Sequence, residues 1–150
     1  MDDSIEEAAR DAFGDLQAED PERVVQLETF VEANNLIDLN VSGALNSNLS
    51  FYSGLAAGGG FDLPQDEILA DVWESADAIR EDTTEWMFGY LTIAYGPLED
   101  AALDAYITQS DTPSGRALNR ALFAAFDELF RGISFDIGKA ASLFTQGDDI

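Results

Sequence analysis

Asp38, Asn40, Ser42 and Gly43 stand at positions one, three, five and six of a calcium-loop spacing. Position twelve, which needs a bidentate Glu, is Leu49, and only Asp38 among the would-be ligands is charged. The segment therefore reads as part of an amphipathic helix. Asp100/Asp104 and Glu81/Glu85 pair carboxylates at helical spacing, but in a chain with 30 acidic residues such pairs arise readily and point to water. Asp136 is more specific. The 100° rule sets it near the middle of an apolar arc, where desolvation would raise its pKa unless a basic residue or a backbone donor met it. That is how general acids are made, and structural ion pairs are made the same way; the structural pair is the favoured reading. Lys139 and Ser142 lie three apart, yet nothing in the sequence desolvates the lysine enough to activate a serine.

Trp73, Trp86, Tyr90 and Tyr95 recur at helical spacing as core aromatics or as the lining of an apolar pocket. The chain has no Cys and no His. Thiol chemistry, disulfides, the usual structural zinc sites and every imidazole triad are thereby excluded. Gly58-Gly59-Gly60 lacks both the Lys-Ser/Thr ending and the GxGxxG spacing of phosphate loops, and reads as a flexible connection. No catalytic, cofactor-binding or metal-ligating set is assigned, and no cofactor is implied.

The net charge of −23 disfavours nucleic acid and anionic lipid as partners. It fits a solubilising acidic surface, with a cationic partner as the second reading. Charges interrupt every apolar stretch before the roughly 18 residues of a membrane span. MDDSIEEAAR has neither the basic nor the apolar region of a signal peptide. The expectation is a cytoplasmic chain, or one whose leader was removed ahead of Asp2.

The elements that must position these residues are helices. Ser4 starts one that runs to about Gln17, presenting Ile5, Ala8, Ala12 and Leu16. Asp20-Pro21-Glu22 starts a second, ending at Asn34 or Asn35, and a third spans Leu36 to Ala56. After the glycine-rich loop 58–64, helical phase holds from Gln65 to Tyr95. Thr83-Thr84 interrupts it, leaving one kinked helix or two consecutive helices open. A short helix follows from Glu99 to about Gln109.

Thr112 then caps, and Pro113 opens, a long final helix. On it Leu118, Leu122, Phe126, Leu129, Ile133, Ile137, Ala140 and Phe144 form one apolar arc, expected to face the core. At 1.5 Å per residue this helix is about 48 Å long, more than the roughly 38 Å diameter of a compact domain of this size. Its far end, around Ile137 to Phe144, must pack on the first two helices or bury itself in a second copy. The homodimer is the favoured of the two, against the repulsion between two acidic chains. The fold class is all-α: a single-domain bundle of six to seven helices, with N-terminal helices over 1–57, core helices over 65–146 and a long C-terminal core helix.

AYGPLEDAALDAYITQSDTPSGRALNRALFAAF resembles the exported helical bacterial family known as domain of unknown function 2059. The pattern is carried by Leu98, Leu103, Tyr106, Ser110, Thr112, Pro113, Gly115 and Arg116, continued by Leu118 and Asn119. FVEANNLIDLNVSGALNSNLSFYSGL is similar to the upstream part of its alphaproteobacterial branch. The chain departs from the family where Thr108-Gln109 stands in place of the commoner Phe-Tyr. The resemblance implies export with a leader peptide, a periplasmic home and no assigned activity. The residue types of the motif describe a corner, in which Thr112 caps, Pro113 sets φ and Gly115 admits a neighbouring backbone. The expected function is non-enzymatic binding of a protein or a small apolar ligand, with a carboxylate-dependent hydrolase as the alternative.

Overall fold

Asp20 shows how this chain punctuates its helices: its carboxylate accepts the Arg23 N–H at 3.1 Å, and Pro21 takes the first helical position. The computed structural model describes residues 3–59 and 64–147. These form seven helices and no strand: α1 (Asp3–Glu19), α2 (Pro21–Ala33), α3 (Leu36–Ala57), α4 (Gln65–Glu74), α5 (Ala76–Tyr95), α6 (Asp100–Ser110) and α7 (Pro113–Gly147). None of them is long and apolar enough to cross a membrane. Most of the expected glycine-rich loop, 60–63, and the tail from 148 lie outside the described residues, as do residues 1 and 2.

Several helix ends fall one or two residues from the sequence expectation, and two differences concern how a helix starts or breaks. Ser4 lies inside α1, which already includes Asp3. Helical phase breaks at Ser75, not at Thr83-Thr84. Ser75 caps α4 and its hydroxyl donates to the Val72 carbonyl at 2.8 Å. Thr84 stays helical by returning its hydroxyl to the Arg80 carbonyl at 2.7 Å.

The chain divides into two compact units, each drawing on two stretches of sequence. The first comprises Met1–Asp38 and Arg80–Arg120, the second Leu39–Ile79 and Ala121–Ile150.

In the first unit α2 packs against α1 and α6, and Leu27, Phe30, Val31, Met87, Leu91 and Leu103 form the buried core. Tyr95 closes one side of it. Its ring meets Phe30 edge-on at 5.1 Å and Tyr106 at 6.1 Å. Burial, and after it the neighbouring Tyr106 and Tyr90, pushes the Tyr95 phenol up to about 12. The unfolded chain ionises this tyrosine near 10, so its ionisation leaves stability unchanged below that pH. As pH climbs from about 10 towards 12 the unfolded state loses the proton first, and stability should fall. Unfolding measured across this window should show the loss in the parent and a smaller one in Tyr95→Phe. An identical decline in both would put the alkaline sensitivity elsewhere.

In the second unit α3 and α7 meet through small residues. A Cβ built on Gly54 would lie 2.1 Å from the Phe135 carbonyl oxygen, and one on Gly138 would lie 2.1 Å from that of Phe51. Gly58 sits against Ser142, which is fully buried. Backbone contact this close dictates which side of α7 turns inward, and it overturns one expectation. Gly138 and Ser142 face α3, while Leu122, Phe126, Leu129, Ile133, Ile137 and Phe144 are exposed. The helix runs unbroken through Gly132 as expected, but its apolar arc faces outward. Asp136 lies on that arc and is exposed with it, so it is not the buried carboxylate that its position suggested.

Candidate binding site

The residues with the best geometry for a ligand lie on α1 and α5 of the first unit. Gly89 lets the Ala9 backbone come close: a Cβ there would sit 3.1 Å from Ala9 atoms. Phe13 stacks on Phe88 at 5.2 Å just beyond this crossing, and Arg10 forms an ion pair with Glu85 across it. On the other side of the crossing the helices leave an open groove of about 620 Å³. Trp86 and Tyr90, one helical turn apart, stack at 5.4 Å with an 11° interplanar angle and form its wall. Ile5, Ala9, Ile93 and Ala94 complete the apolar lining, and Glu6, Asp82 and the Arg10–Glu85 pair rim it.

Of the four aromatics singled out from sequence, Trp86 and Tyr90 thus share one groove. Tyr95 belongs to the core, and Trp73, on α4 in the second unit, is exposed. Sequence reasoning missed Glu6, Arg10, Asp82 and Gly89, and it read Glu85, paired with Glu81, as pointing to water, where it meets Arg10. The charges there were lost among 30 acids, and a helical glycine gives no signal until its neighbour is known. The apolar side chains at Ile5 and Ile93 were visible, but nothing indicated that their two helices cross.

The motif residues at the α6–α7 corner come together, and each has an architectural task. Thr112 Oγ1 accepts the Gly115 N–H at 3.0 Å and donates to the Gln109 carbonyl at 2.7 Å. Pro113 opens α7. Gly115 has no room for a side chain, since a Cβ would lie 2.2 Å from the Gln109 oxygen. Arg116 bridges to the Asp111 carboxylate at 2.8 Å and to its carbonyl at 2.9 Å. Asn119 donates to the Asn34 carbonyl at 2.6 Å, tying α7 to the end of α2, where Asn35 takes the left-handed conformation at φ 50°.

The remaining chemical candidates do not assemble. Asp38 lies within α3 and pairs with Arg80 at 2.7 Å. Ser142 is buried at the α3–α7 crossing while Lys139 is exposed, so the two do not share a surface. Asp100 accepts from Arg23 at 3.0 Å, and Asp104 from Gln26 at 2.6 Å. Among the described residues no carboxylate is buried, and no three acidic residues are grouped to hold a metal ion. The chain matches no family model, no curated protein and no solved structure.

Proposed function

We propose that this chain is a non-enzymatic binding domain whose α1–α5 groove takes a small, largely apolar ligand with a neutral or cationic head. The observation that carries the reading is the stacked, half-exposed Trp86–Tyr90 pair walling a groove of about 620 Å³, within the usual range for small-molecule sites. Exposed aromatic faces favour flat or aliphatic groups and attract cations. With Arg10 engaged by Glu85, the rim charge left over is that of Glu6 and Asp82. That charge and the net −23 of the chain oppose an anionic head such as a fatty-acid carboxylate. The hydrolase alternative requires a carboxyl held protonated by burial, and none of the described carboxylates is in such a place. The resemblance to the exported bacterial family supports a periplasmic setting for the domain, with the cytoplasm as alternative.

The chain has two tryptophans, so Trp73→Phe leaves Trp86 as the sole reporter. Decylamine should change its emission saturably, and decanoate should bind at least about tenfold more weakly, a difference of about 1.4 kcal/mol. Ala94→Phe, which fills the groove from an exposed position, should abolish the response. Emission that ignores both ligands, or a response that survives Ala94→Phe, rejects the site.

A further inference from the structure

The outward face of α7 within the second unit has an order that packing inside the chain does not use. Leu122, Phe126, Leu129, Ile133, Ile137, Ala140 and Phe144 follow one another at steps of 4, 3, 4, 4, 3 and 4. This series reads the same in both directions, with Ile133 at its centre. Leu122, Ile133 and Phe144 are also eleven residues apart, which keeps the stripe nearly parallel to the helix axis. Apart from Ala140, every one of these side chains is large and between 44 and 73% exposed.

We infer that this face is the interface of a two-fold homodimer in which α7 packs antiparallel on α7 of a second copy, with the axis at Ile133. Antiparallel pairing sets position n opposite position 266 minus n. Leu122 then meets Phe144 of the other copy, Phe126 meets the small Ala140, Leu129 meets Ile137, and Ile133 meets itself. An isologous interface requires a patch that complements itself, and a palindromic stripe does so without further adjustment.

Three observations favour a second copy as the occupant. The first is charge: between Leu122 and Phe144 α7 carries Arg131 and Lys139 against Asp127, Glu128 and Asp136, nearly balanced in a chain of −23. Two copies therefore meet less repulsion along this stretch than the rest of the chain would impose. The second is area. Six half-exposed large side chains and their surroundings give on the order of 700 Å² per copy, which reaches the range of stable interfaces. The third is the thinness of the second unit's own core, in which Val41, Ile68 and Val72 are the buried hydrophobic side chains among the described residues.

Sedimentation equilibrium of the full chain at physiological salt should give a mass about twice 16.3 kDa. Ile133→Asp places two carboxylates on the axis and should weaken association at least a hundredfold, with helical content unchanged because Ile133 is half-exposed. The absence of native cysteine allows the register to be read directly. Under oxidation, a mixture of Leu129→Cys and Ile137→Cys should cross-link between variants, and neither variant alone should cross-link efficiently. A parent that is monomeric at every concentration, a dimer that survives Ile133→Asp, or cross-linking confined to like variants would each overturn the inference. A monomer that floats with neutral phosphatidylcholine vesicles would overturn it too, and would give the face to lipid.

Discussion

Gly138→Ala should destabilise the fold by about 3–5 kcal/mol, whereas Gly132→Ala, six residues earlier on α7, should stabilise it by about 1 kcal/mol. The opposite signs follow from what a single methyl group would meet. At Gly132 nothing lies within 4 Å, so the change only removes backbone freedom from the unfolded chain. At Gly138 the methyl would lie 2.1 Å from the Phe51 carbonyl oxygen and 3.1 Å from the Leu55 nitrogen. These are backbone atoms of α3, and no rotamer change can move them aside. Relief requires separating α3 from α7, which also opens the matching contact between Gly54 and Phe135. Urea unfolding of both variants against the parent measures the difference. A Gly138→Ala protein within 1 kcal/mol of the parent would mean that the two backbones do not meet as described.

Arg23→Met should cost about 3–4 kcal/mol, and Arg23→Lys should recover little of it. The Arg23 side chain is only 8% exposed, and its guanidinium donates to the Tyr95 carbonyl at 2.7 Å, the Leu98 carbonyl at 3.0 Å and Gln26 at 2.6 Å. Its ion pair with Asp100, at 3.0 Å, is the least of these contacts because that carboxylate is 80% exposed. The cost comes instead from leaving the carbonyls of the α5–α6 turn without a donor. A lysine has no planar fork with which to serve two carbonyls and an amide at once. Asp100→Asn should accordingly change stability by less than about 1 kcal/mol. Equal losses for Arg23→Met and Asp100→Asn would shift the weight back to the ion pair.

Much of the helical order was legible because its signals are local. Asp20-Pro21, Gly96-Pro97 and Thr112-Pro113 mark helix boundaries by chain stereochemistry and capping, and the structure has boundaries at each. The apolar period of α7 was legible as well, but its direction was not. Periodicity shows that a helix has two faces; it does not show which one a neighbour will take. Here close backbone contact through Gly54, Gly58 and Gly138 turned the small face inward, a decision made by shape between α3 and α7. Asp136 was misplaced by the same reversal. Arg23 was hidden for another reason: its partners lie more than 70 residues away, in a turn whose free carbonyls appear only once α5 and α6 are formed. The groove was half legible. Trp86 and Tyr90 announced an aromatic face on one helix, while the crossing of Ala9 on Gly89 that makes it a groove depends on tertiary structure.

The proposed binding site can be tested by isoleucine methyl NMR during titration with decylamine. Ile5 and Ile93 line the α1–α5 groove, and Ile133 and Ile137 lie on the exposed face of α7, so one spectrum reports on both surfaces. The binding-domain reading requires Ile5 and Ile93 to shift with a common saturating dependence while Ile133 and Ile137 stay in place. Shifts confined to Ile133 and Ile137, or no saturable shift at Ile5 and Ile93, would contradict it.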